Sequence, residues 1–141
     1  MKYLMKFNES LDLERIKGNI LDILIDFKDR RMAVNVLINN NFLYIIIETV
    51  YSADPESGLR PISKPINLSE YLPVFEMLFD YLLYKYELLA IRWSEDDKHH
   101  DSYELSPDDN VIETFNEVLK NRELFKIALQ FRPSQLTKLQ Q

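Results

Sequence analysis

Residues 32–51 constrain the fold of this 141-residue chain more than any other segment. Two runs rich in Val, Ile and Tyr, 32–38 and 42–51, flank Asn39-Asn40-Asn41. β-branched and aromatic side chains suit the pleated, half-buried surface of a sheet. An asparagine-rich break between two such runs signals a hairpin, since asparagine tolerates left-handed backbone angles. In the second run Leu43, Ile45 and Ile47 alternate with Phe42, Tyr44 and Ile46, so both faces are apolar until Glu48. That pattern predicts a strand inside a sheet rather than at its edge. A lone hairpin is marginal in water, so the remaining chain must supply more strands and a covering layer.

The segment before the hairpin, 10–31, supplies part of that layer. Ile16, Ile20, Ile23, Leu24 and Phe27 recur at spacings of three and four and form one apolar stripe, which Leu21 and Ile25 widen. Ser10 suits the helix start, and Lys28, Arg30 and Arg31 suit its negative end. After the loop 52–65, which holds three prolines and a glycine, Asn67-Leu68-Ser69-Glu70 reads as a capping box. The helix behind it places Phe75, Leu78, Phe79 and Leu82 on one face, with Pro73 acceptable only near its first turn. Residues 88–93 read as a strand, 102–105 as a short one, and 124–131 as a last one ended by Pro133. Between them Ser106-Pro107-Asp108-Asp109 reads as a helix start, followed by Val111 or Ile112, then Phe115, Val118 and Leu119, on one stripe. The expected fold is α+β, a mainly antiparallel sheet of four or five strands with about three helices on one face. The expected organisation is a single domain over 1–133 with a frayed polar tail, 134–141.

Composition then narrows the function. The chain has no cysteine, which excludes disulfides, thiolate metal sites and cysteine nucleophiles and fits a reducing, cytoplasmic compartment. No apolar run of secretory length opens the sequence, so no signal peptide is expected. The most apolar stretch, 71–93, is broken by Glu76, Asp80, Lys85 and Glu87, whereas a membrane span needs about 20 residues nearly free of charge. Net charge is −6, and residues 94–117 hold nine acids against one base, Lys98. That local −8 leaves +2 for the rest of the chain. Such a balance repels phosphate backbones, so direct nucleic-acid binding is not expected. A solvated loop accounts for the acids in the ordinary way. The sharper reading is a face for a protein partner with a basic surface, built from Glu95, Asp96, Asp97, Asp101, Glu104, Asp108, Asp109 and Glu113.

Catalytic signatures are missing. His99 and His100, flanked by Asp96, Asp97 and Asp101, are the one metal-like cluster, but neighbouring strand residues point to opposite faces and no third distant ligand is indicated. Glu48 and Asp80 are the only carboxylates with apolar neighbours, and each reads more simply as an edge or exposed residue. With two glycines in all, phosphate-cradling loops are not expected, nor are an enzyme or a cofactor. Tyr71, Tyr81, Tyr84 and Tyr86 crowd one helix, and Trp93 follows. Of these, Tyr81, Tyr84 and Trp93 are candidate interface residues, with a homodimer through the tyrosine-bearing helix as one outcome.

The opening Met1-Lys2-Tyr3-Leu4-Met5-Lys6-Phe7-Asn8-Glu9-Ser10 resembles the start of many small proteins of tailed bacteriophages, roughly Met-Lys-x-Leu-x-x-Phe-x-Glu. Met5 stands where a second basic residue is common. The resemblance implies a phage origin, with no fixed activity and no functional residues to transfer. The expectation is therefore a non-enzymatic accessory protein binding a host or phage protein, for instance as an acidic inhibitor of a bacterial defence. The alternatives are a minor virion component and, behind it, a ligand-sequestering domain or small enzyme.

Overall fold

The computed structural model describes residues 2–29, 32–49, 65–95 and 99–134, with side chains from residue 12 onward except Asp29. In chain order the elements are helix α1 (Lys2–Ile23), short helix α2 (Ile25–Asp29), strands β1 (Met32–Ile38) and β2 (Leu43–Thr49), a 3-10 turn (Leu68–Tyr71) and helix α3 (Leu72–Leu82). Strands β3 (Tyr86–Ser94) and β4 (His100–Glu104), helix α4 (Val111–Leu119) and strand β5 (Lys126–Pro133) complete the fold. It is α+β, as expected, with every described strand pairing antiparallel.

The sheet order is β1-β2-β5-β3-β4, so the last strand in sequence is the middle one in space. Since β2 and β3 both run antiparallel to β5, they are parallel to each other. The chain between them carries α3. By the same logic β4 and β5 are parallel, flank β3, and are joined through α4. Neither crossover pair touches directly; β5 fills the first gap and β3 the second. The expectation of an interior strand at residues 42–51 holds, with β2 between β1 and β5.

One sheet face and the helical stripes form a single core. Leu43, Ile45 and Ile47 of β2 and Ile127, Leu129 and Phe131 of β5 are buried by strict alternation. In β3 the alternation changes phase. Tyr86 and Leu88 face inward, an irregularity falls between Leu88 and Ala90, and Ile91 and Trp93 are then the buried pair. Without that extra residue, Arg92 would be driven into the core. Above the sheet the Phe115 ring meets Phe75 at 4.5 Å and Phe79 at 5.1 Å, centroid to centroid, and joins α3 to α4.

Several boundaries differ from the sequence reading. The first helix begins at Lys2 rather than Ser10 and breaks at Leu24, after which α2 runs to Asp29. Gly18 sits in α1 with nothing near the place a Cβ would take, so packing does not require a glycine there. The hairpin turn uses no left-handed asparagine. Instead Asn39 Oδ1 accepts from the backbone N–H of Asn41 (2.7 Å) and Phe42 (3.0 Å). Among the described non-glycine residues only Asn121, just after α4, has positive φ, at 58°. Asn67 caps the 3-10 turn by accepting from Ser69 N–H, and Pro73 falls in the first turn of α3. Ser106 to Asp109 form a turn, not a helix start; α4 is capped by Asn110, whose side chain accepts from Glu113 N–H. Most of the loop 52–65 and all but the first residue of the tail 134–141 lie outside the described residues.

Phe115→Ala should cost about 3–5 kcal/mol in urea unfolding, because a fully buried ring in a three-phenylalanine contact leaves a cavity. Asn110→Ala should cost about 1 kcal/mol by the same measurement, through loss of one helix cap.

Candidate functional site

Strand β4 is exposed along its whole length and forms one edge of the sheet. Its pairing with β3 sets which way each side chain points. Asp101 opposite Trp93 and Tyr103 opposite Ile91 share the helix-covered face. His100, Ser102 and Glu104, opposite Ser94, Arg92 and Ala90, share the other face with Lys126 of β5. The acidic segment is therefore divided by the two-residue period of the strand rather than gathered on one side.

The helix side holds the better-built surface. Tyr103, 40% exposed, stands beside α4, where Thr114 and Glu117 join Trp93, Val118 and Arg122 in lining a cleft of about 370 Å³. Glu113 and Glu117 are four residues apart on the exposed ridge of α4. Asp108 is exposed in the preceding turn. None of Asp101, Asp108, Glu113 and Glu117 forms an ion pair with a described residue.

The other expected partner-binding residues have different settings. Glu95 is held by Arg122 at 3.1 Å, so its charge is offset. Asp109 is structural, its Oδ2 accepting from Ser106 N–H (2.9 Å) and from the Tyr103 hydroxyl (3.1 Å). Glu104 lies on the opposite face. Asp96 and Asp97 lie outside the described residues.

The aromatic candidates also separate. Trp93 is buried, not a surface residue, because the phase change in β3 turns it toward α4. The Arg122 guanidinium lies 4.9 Å from its ring, and its indole N–H has no hydrogen-bond partner among the described residues. Arg122 also donates to Val118 O at 2.7 Å, closing the end of α4. Tyr81 is half-buried and accepts from Asn19 Nδ2, while Tyr84 is 64% exposed with Lys85 beside its ring. Tyr86 belongs to β3 rather than the helix, and burial pushes its phenol up, with smaller contributions from Tyr81 and Tyr84.

Sequence reasoning missed Tyr103 and Arg122. Arg122 stands four residues after the buried Val118, a spacing that could have marked it as a cap on the last turn. The role of Tyr103 depends on β4 pairing with β3, which no local pattern gives. His100 Nδ1 and Ser94 Oγ share a 2.6 Å hydrogen bond, and no group of three or more potential metal ligands occurs among the described residues. No described helix is long and apolar enough to cross a membrane. No protein-family model matches the chain, and no curated protein or solved structure matches it either.

The bond between Tyr103 and Asp109 moves both groups. The hydrogen bond to Asp109, and then its charge, hold the Tyr103 phenol above its ordinary value. The Ser106 backbone N–H, with Tyr103 contributing less, holds the Asp109 carboxyl below its ordinary value. The Tyr103 contribution is complete below the unfolded phenol value and is lost as pH rises through the folded one. The Asp109 contribution is complete above the unfolded carboxyl value and is lost as pH falls through the folded one. Both are present at neutral pH. Asp109→Asn should therefore bring the Tyr103 titration, followed by carbon NMR at Cζ, down toward that of a free phenol.

Proposed function

We propose that this chain is a non-enzymatic accessory protein that binds a protein partner with a basic surface through the β4–α4 edge. The observation that carries the reading is the cleft that the exposed Tyr103 shares with Glu117, with Asp101 on the same strand face and Asp108 and Glu113 exposed in the turn and helix that follow. An aromatic ring among acids that have no ion pair with a described residue suits a lysine- or arginine-bearing segment, which gains charge attraction and a cation–π contact together. The Glu95–Arg122 pair contributes little to this attraction, since both groups are partly exposed and already paired. The phage-like opening sequence suggests a partner in the bacterial host, and interference with a host defence is one activity such docking would serve.

The test is capture from bacterial lysate with cross-linking, comparing the native chain with a variant carrying Asp101→Lys, Glu113→Lys and Glu117→Lys. The native chain should retain a partner at low salt, lose it as salt rises, and cross-link through 101–117. The variant should retain none, with an unchanged circular dichroism spectrum. Equal capture by both proteins, or cross-links confined to other surfaces, would overturn the proposal.

A further inference from the structure

The other edge of the sheet is chemically the reverse of β4. Strand β1, Met-Ala-Val-Asn-Val-Leu-Ile, has seven residues with no charge and no proline, the devices that usually keep an edge strand from pairing. Among the described residues it pairs only with β2, and no other backbone hydrogen bond reaches it. Leu37, on this strand, is 54% exposed, and Ile25, on the α2 helix that packs against β1, is 47% exposed.

We infer that β1 pairs antiparallel with β1 of a second copy of this chain, making a continuous ten-stranded sheet across a two-fold axis. The register follows from the ladder. The hairpin is closed by Asn39 N–H donating to Phe42 O, so the alternation turns the N–H and C=O of Ala33, Asn35 and Leu37 toward β2. Those of Met32, Val34, Val36 and Ile38 then face outward. A two-fold axis through Asn35 sets Val34 opposite Val36 of the second copy and Met32 opposite Ile38, all four outward-facing, and uses the full length of the strand. Leu37 then lies across from Ala33, a large side chain against a small one. The two Asn35 side chains meet at the closely spaced, non-hydrogen-bonded position, where their amides can bond to each other.

Charge favours this edge over the other. In the order β1-β2-β5-β3-β4 the acidic strand is farthest from the proposed contact. Two copies joined at β1 hold their β4 edges about nine strand spacings apart, roughly 40 Å, well beyond the Debye length of about 8 Å at physiological salt. Joining through β4 would instead bring Asp101 and Glu104 of both copies together. The inference stands independently of what binds the acidic edge.

Sedimentation velocity over a micromolar to sub-millimolar series tests it. The native chain should approach twice its 16.8 kDa mass. Asn35→Lys, which sets two cations across the axis, and Leu37→Lys should each return the monomer mass. Both sites are exposed in the single chain, so the circular dichroism spectrum should not change. Tyr84→Ala, in the exposed turn between α3 and β3, should leave the dimer intact. A native chain that stays monomeric throughout, or a dimer that survives both lysine variants, would overturn the inference.

Discussion

Strand β5 forms a full ladder with β2 on one side and with β3 on the other, and its inward side chains are wholly buried. Everything else is placed by that double pairing. It makes β2 and β3 neighbours at one remove, which sets α3 above the sheet. It also forces β3 to present its outer edge to β4, which puts β4 and α4 on the same flank. The residues that close the sheet are the last described ones in the chain, so the pairings of β5 with β2 and β3 join segments distant in sequence. Non-local pairing of this kind is slow to form, because loop closure must precede the contacts that reward it.

The phase change in β3 is the second determinant. Through it Trp93 turns inward to meet Arg122, while Arg92 and the buried Ser94 take the other face of the sheet beside His100 and Lys126. The Arg122 side chain then serves three neighbours at once, stacking on Trp93, pairing with Glu95 and closing α4 at Val118. The acidic surface left on the helix-covered side is smaller than the linear sequence suggests, and within it Tyr103 shares a cleft with Glu117. The two edges of the sheet differ accordingly, one short and charged, the other longer and neutral.

Much of the architecture was legible in the residues. The stripe Ile20, Leu24, Phe27 and the run Leu43, Ile45, Ile47 are periodic, and burial follows the period wherever one face is covered. What the sequence did not show was of three physical kinds. The helix begins eight residues earlier than Ser10, a capping residue type that here lies inside the helix instead of at its start. Ser106-Pro107 imitates a helix start, yet Asp109 ties the segment into a turn with Ser106 and Tyr103, and Asn110 takes the cap. Trp93 looked superficial because its inward orientation depends on an extra residue between Leu88 and Ala90, which alternation alone cannot locate. The candidate site was half visible. Its carboxylates stand out in composition, but their division between two faces required the register of β4.

Residue-by-residue amide hydrogen exchange tests the central claim, that β5 locks the sheet from its middle. Amides of β5 and of the strands on either side should exchange only through global unfolding, with one shared and highest opening free energy, while those of β4 exchange through local fraying. Slow exchange confined to β1 and β2, with β5 opening as readily as β4, would contradict the account.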